Sequence, residues 1–184
     1  MANTALLLID FQNDYFTGGK WELEGTQAAA ENGAKLLAEF RHQGLPVVHV
    51  RHEFAGEDAP FFIAGSEGAW IHSSVAAQEG EPVVLKHAAN SFRDTNLKAI
   101  LDELEVAQLW VVGAMSHMCI DAGVRAAADL GFEVTVAQDA CATRDQEFNG
   151  VTVPAKQVHA AFMSALGFAY ARIANTDDLL AEIS

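Results

Sequence analysis

Basic residues are scarce in this chain of 184 residues: 11 Lys and Arg stand against 25 Asp and Glu, a formal net charge of −14. Nucleic acid is therefore excluded as an expected partner, because holding phosphates needs a basic face. The charge serves solubility, and an anionic substrate would need a local basic group rather than bulk attraction. Cysteine is nearly absent. Cys119 and Cys141, without repeated spacing, make no disulfide framework, and no bridge is expected in a reducing compartment. No apolar run approaches the roughly 18–20 residues of a membrane span. The run Ala5–Ile9 is too short for a signal peptide and lacks its basic flank. Internal repeats, low-complexity tracts and linkers are missing as well. With 51% of its residues apolar, the chain has the size and composition of one domain, residues 1–184, with one substantial core. A soluble, cytoplasmic protein with no membrane partner is expected.

What is present alternates. Thr4–Ile9, Pro46–Val50, Pro82–Leu85, Leu109–Gly113, Phe132–Ala137 and Phe168–Ile173 read as strands, short apolar or β-branched runs. Thr26–Gln43, Leu97–Leu104, Cys119–Leu130, Pro154–Leu166 and Thr176–Ile183 read as helices, the first closed by Gly44 and the third by Gly131. Strand and helix in turn mean βαβ units with right-handed crossovers. The expected fold is α/β and doubly wound, a mostly parallel sheet of six strands with helices on both faces. Residues 53–80 break the rhythm. A stretch that long without periodicity is uncommon inside a compact domain and is often functional. It carries Phe54, Phe61, Phe62 and Trp70, so it is expected to fold over the active site or into a subunit interface.

Ligands of open α/β sheets gather beyond the carboxyl ends of the strands. Three reactive side chains stand there: Asp10 after the first strand, Lys86 after the third and Cys119 after the fourth. A thiol at a helix start feels the positive end of the dipole, which lowers its pKa, and the same terminus offers unpaired N–H groups to a developing oxyanion. Asp10 could take or pass the thiol proton, and Lys86 beside both would favour their anionic forms. Each also has a bland reading: an inert buried thiol, a turn carboxylate, a snorkelling lysine. Their joint placement sets those readings aside.

The segments Leu7–Phe16, Val83–Phe92 and Val112–Ile120 resemble, in order and spacing, the three signature segments of the isochorismatase-like, nicotinamidase-related cysteine hydrolases. Gly65–Gly68 resembles the loop motif of that family, and Asp139–Ala142 its segment after the fifth strand. The resemblance implies a catalytic triad of Asp10, Lys86 and Cys119 and a cis peptide at Ala114–Met115. That peptide is expected to aim the N–H groups of Met115 and Cys119 at the substrate oxygen. It also implies hydrolysis of a small amide or other C–N substrate through a thioester, with no cofactor, and a homo-oligomer, dimer or tetramer. One departure is plain. Nicotinamidases of the family carry an Asp-x-His metal pair after the second strand and histidines in the loop, where this chain has His52, Phe54 and Phe61. His49 and His52, three apart on a strand, face opposite sides of the sheet and make a poor chelate, so no metal is expected.

Tyr15, Phe61, Phe62, Trp70 and Met118 are the candidates for the substrate pocket, although core packing accounts for such side chains equally well. Cys141 reads as structural or as pocket wall; His87, His117 and His159 can each be read as bases, although a turn or interface role suits His117 better; Arg93 and Arg144 either bind a carboxylate or pair with neighbouring acids, the second reading being favoured. Two rival functions remain: vinyl-ether hydrolysis of an isochorismate-like substrate with Asp10 as acid, and a non-catalytic scaffold of the same fold.

Overall fold

The computed structural model describes residues 3–56 and 58–183, so Met1, Ala2, Glu57 and Ser184 of the expected domain lie outside the described residues. Strand β1 (Thr4–Ile9) is buried at every position, as a strand covered on both faces must be. Its side chains divide by parity. Leu6 and Leu8 enter one core cluster, and Ala5, Leu7 and Ile9 the other.

Around β1 the chain builds helix α1 (Thr26–His42), β2 (Val47–His52), β3 (Val83–Lys86), α2 (Leu97–Glu103), β4 (Gln108–Ala114), α3 (Asp121–Asp129) and β5 (Glu133–Ala142). It closes with β6 (Gln146–Phe148), β7 (Val151–Val153), α4 (Ala155–Ala169), β8 (Arg172–Ala174) and α5 (Thr176–Ile183). The six-stranded sheet has the order β3-β2-β1-β4-β5-β8, every pair parallel. Helices α1 and α5 cover one face, with Leu36, Phe40 and Leu179 in its core. Helices α2, α3 and α4 cover the other through Leu101, Val124 and Leu166. The expected doubly wound sheet is thus present. No helix among the described residues is long and apolar enough to cross a membrane.

Three local features go beyond or depart from the reading of the sequence. The last strand begins at Arg172 rather than Phe168, because α4 runs on to Ala169. Val158, Met163 and Leu166 form its buried stripe, and Phe168, two residues past that stripe, is 91% exposed. An apolar run at a helix end cannot be told from a strand by hydrophobicity alone. Second, β6 and β7 form an antiparallel hairpin around Asn149 and Gly150, both at positive φ, the turn geometry that Asn-Gly favours. Third, Cys119 lies inside a π-helical turn, Ser116–Ile120, ahead of α3 rather than at the start of that helix.

Gly113 shows how tightly β1 and β4 meet where the pairing of β4 with β5 shifts register. Its φ is +132°, and a Cβ built there would lie 1.9 Å from the carbonyl oxygen of Ile9. No side chain fits without moving β1, the strand that leads into Asp10. Gly113→Ala is expected to lower stability by about 2–4 kcal/mol, given the backbone strain and the overlap. Urea denaturation followed by circular dichroism measures it, and an unchanged midpoint would show that the contact yields.

Candidate active site

Parallel strands bring the three expected side chains to one edge. Asp10 follows β1 directly, in a left-handed conformation with φ 55°. Strand β4, paired with β1, leads through the cis peptide Ala114–Met115 into the turn that carries Cys119. This is where the sheet order reverses direction, the usual place for a ligand crevice. Lys86 ends β3, two strands away, and its ammonium reaches across β2. Between them stands His52, the last residue of β2, in register with Lys86.

The Lys86 Nζ lies 2.7 Å from Asp10 Oδ2. It is also 3.2 Å from Cys119 Sγ, 3.0 Å from His52 Nδ1 and 3.0 Å from the carbonyl oxygen of Ala88. Asp10 and Lys86 are fully buried and Cys119 is 5% exposed. Lys86 does not snorkel.

Burial dominates the electrostatics. It pushes the Cys119 thiol up to about 12, Asp10 adding to the rise and Lys86 opposing it. The dipole argument, which lowers this pKa, is therefore overturned: Cys119 is not at the start of α3, and desolvation of a thiolate outweighs what the turn offers. Burial also raises Asp10, against the pull of Lys86. For Lys86 burial works against the charge, but Asp10 and then Cys119 outweigh it and hold its pKa above the ordinary value. Asp10 and Lys86 stand 2.7 Å apart as a buried pair of opposite sign, and burial favours the thiol form of Cys119 beside them. His52 is held neutral, its pKa brought down to about 3 by burial first and by Lys86 second.

Two side chains without an assigned role in the sequence organise the surroundings. Gln12 is fully buried. Its Nε2 donates to the carbonyls of His52 (2.7 Å) and Ala69 (2.8 Å), and the His52 N–H donates to its Oε1 (2.7 Å). The Asp14 carboxylate accepts from the Phe62 N–H at 2.7 Å, and a Cβ on Gly68 would meet it at 2.3 Å. These bonds fold residues 53–80 back over the strand ends. Tyr15 packs on Phe61 and Phe62, and Phe54 bridges Phe61 to His52. Of the other pocket candidates, Trp70 stands 53% exposed and Met118 is exposed on the turn.

A cleft of about 340 Å³ opens beside Met115, lined also by Trp21, His117, Arg144 and the hairpin residues Gln146, Glu147 and Thr152. The Arg144 guanidinium carbon lies over the Trp21 ring, 4.2 Å from its centroid. Among the described residues no carboxylate pairs with it. That corrects its assignment to a neighbouring acid, whereas Arg93 does pair with Asp94 at 3.5 Å. The other histidines are engaged elsewhere: His87 with the Glu53 carbonyl oxygen, His117 with Thr143, and His159 with Ser116 and Gln138. Cys141 lines a separate cavity of about 150 Å³.

The metal set of the nicotinamidases does not fit here. His49 turns away and binds Glu81 at 2.9 Å, and Phe54 and Phe61 offer no ligand. Asp10, His52 and Cys119 do place one potential ligand atom each within 4.8 Å of the others. Lys86 Nζ, however, is within hydrogen-bond distance of all three residues. The ammonium stands where a cation would bind.

The Isochorismatase domain model matches residues 4–161. The isochorismatase family protein YddQ of Bacillus subtilis (strain 168) is 49% identical over 177 residues, covering 96% of this chain and 98% of its own. A crystal structure of an isochorismatase-related protein from Oleispira antarctica superposes with a TM-score of 0.95 at 69% identity, covering 98% of this chain and 97% of the other. Maleamate amidohydrolase of Pseudomonas putida is 30% identical over 162 residues, 78% of this chain and 74% of its own.

Since Asp10 raises the Cys119 pKa, Asp10→Asn is expected to lower it, because Lys86 then faces the thiolate alone. Iodoacetamide alkylation of Cys119, followed by mass spectrometry against pH, should move its midpoint down by about 1–3 pH units. A midpoint that stays in place or rises would separate the carboxylate from the thiol.

Proposed function

Because the chain belongs to the isochorismatase family of hydrolases, we propose that it cleaves a small amide or related C–N bond through a thioester on Cys119. The observation that carries this reading is the single ammonium of Lys86 within reach of both the Asp10 carboxylate and the Cys119 sulfur. Proton movement between the two leaves the buried net charge unchanged. With a substrate carbonyl above the sulfur, Asp10 takes the thiol proton as the S–C bond forms. The oxyanion falls to the N–H groups of Met115 and Cys119. Asp10 then gives its proton to the nitrogen, the C–N bond breaks and the amine or ammonia leaves. Water attacks the thioester, losing a proton to Asp10. The acid is released as the sulfur departs and recovers that proton. Lys86 offsets the negative charge on sulfur whenever it appears. This sequence requires no metal and no cofactor.

The substrate enters through the cleft at Met115, and Arg144 favours a carboxylate on its far end. A guanidinium over the Trp21 ring keeps its N–H groups free for a bidentate acid. The relative named for maleamate acts on an amide that bears such a group.

Two measurements test the reading. Cys119→Ala should keep the fold by circular dichroism yet release ammonia from small amides at least ~10³-fold more slowly. Full turnover by this variant, or cleavage of a vinyl ether unaffected by it, would overturn the thioester route. Arg144→Gln should raise KM about 10–100-fold for amides that carry a carboxylate, as loss of a charged hydrogen bond does, and leave neutral amides unaffected. Equal effects on both would remove Arg144 from substrate recognition.

A further inference from the structure

The turn that carries Cys119 is tied to the rest of the molecule by a run of side-chain hydrogen bonds that the chemistry at Lys86 does not use. Ser116, the first residue of that turn, is fully buried. Its Oγ lies 2.8 Å from His159 Nδ1 on α4 and 3.3 Å from the carbonyl oxygen of Ala142 at the end of β5. The other ring nitrogen of His159, Nε2, lies 3.1 Å from Gln138 Oε1 on β5. Gln138 Nε2 donates to Asn175 Oδ1 at 2.7 Å. Asn175 Nδ2 in turn donates to the carboxylate of Asp178 on α5 at 3.3 Å.

An ionised carboxylate can only accept, and it sets the direction of every link behind it. Asn175 turns its NH2 to Asp178 and its oxygen to Gln138. Gln138 turns its NH2 to Asn175 and its oxygen to His159. The proton of a neutral His159 ring therefore sits on Nε2, which leaves Nδ1 as acceptor and the Ser116 hydroxyl as its donor. Burial keeps His159 below the usual imidazole pKa and so favours the neutral ring. Phe162, three residues further along the same helix, meets His117 edge-on with centroids 6.0 Å apart. Helix α4 thus grips two consecutive residues of the turn.

We propose that His159 is a positioning residue for hydrolysis: through Ser116 it holds the turn, and with it Met115 and Cys119, in the geometry that receives the substrate oxyanion. The carbonyl oxygen of Met115 accepts the N–H groups of Met118 at 3.0 Å and Ile120 at 3.2 Å. A turn that slips at Ser116 therefore moves the residues on both sides of the sulfur. Donors to an oxyanion work only when aimed beforehand, and a misplacement of about 1 Å can cost about 10²-fold in rate. The part His159 plays in turnover rests on the thioester reading, whereas its hold on the turn does not.

With the small amides that test that reading, His159→Phe and Ser116→Ala should each lower kcat by about 10–100-fold. KM should stay within about twofold, because the donors act in the transition state. The double variant should be no slower than either single one, since both cut the same tie. His159→Asn, whose Oδ1 can stand in for Nδ1, should recover most of the rate. Additive losses, a rise in KM alone, or an Asn variant as slow as the Phe variant would overturn the proposal. Two readouts need no substrate. Nitrogen NMR of the imidazole should show the proton on Nε2, and the opposite tautomer would break the chain of donors. Hydrogen exchange at the Met118 and Ile120 amides should quicken at least ~10-fold in both His159→Phe and Ser116→Ala, while Val124 in α3 keeps its protection. Faster exchange everywhere, or nowhere, would overturn the hold on the turn. No ammonia release from any amide by the natural chain would sink the amidase reading and leave these two readouts to decide.

Discussion

The molecule is organised around one buried ammonium. Taking an unpaired lysine out of water costs several kcal/mol even after relaxation, and Lys86 is fully buried. It is tolerated because Asp10 sits 2.7 Å away and neutral acceptors complete its shell. That constraint fixes much else. Asp10 must leave β1 in a left-handed turn, β4 must approach β1 closely enough that only glycine fits at Gly113, and β2 must end in a side chain that can share space with a cation. Asp10, Lys86 and Cys119 together carry no net charge whether the mobile proton is on sulfur or on oxygen. Chemistry in a dry site is then possible without exposing a bare charge.

Much of this was legible in the sequence. Alternating apolar runs and helical stretches gave the parallel sheet, and the rule that ligands gather at the carboxyl ends of strands singled out Asp10, Lys86 and Cys119. What failed did so for identifiable reasons. The hairpin of β6 and β7 was announced by Asn149-Gly150, but its strands have only three residues each, too few to show alternation. Phe168 lies where a helix end and a strand look alike. The state of the Cys119 thiol was read from a helix terminus that the π-turn moves away, and its burial, which decides the matter, is a tertiary property.

His52 shows the limit most clearly. Its ring and that of His49, three residues earlier on β2, have different partners, Lys86 for the first and Glu81 for the second. Its contact with Lys86, however, depends on strand order. Only when β2 lies between β1 and β3 does its last residue fall between a carboxylate on one neighbour and an ammonium on the other. Nothing local in residues 47–52 encodes that neighbourhood.

The double grip of Gln12 joins two parts of the molecule that would otherwise vary independently. One side chain amide holds the end of β2 and residue 69 of the long loop. Remodelling the loop to admit a bulkier molecule would pull on the strand that presents His52. Changes of selectivity in this wall are therefore expected to arise by exchanging side chains on a fixed backbone, at Phe54, Phe61 or Trp21, sooner than by lengthening or relaxing the chain between them.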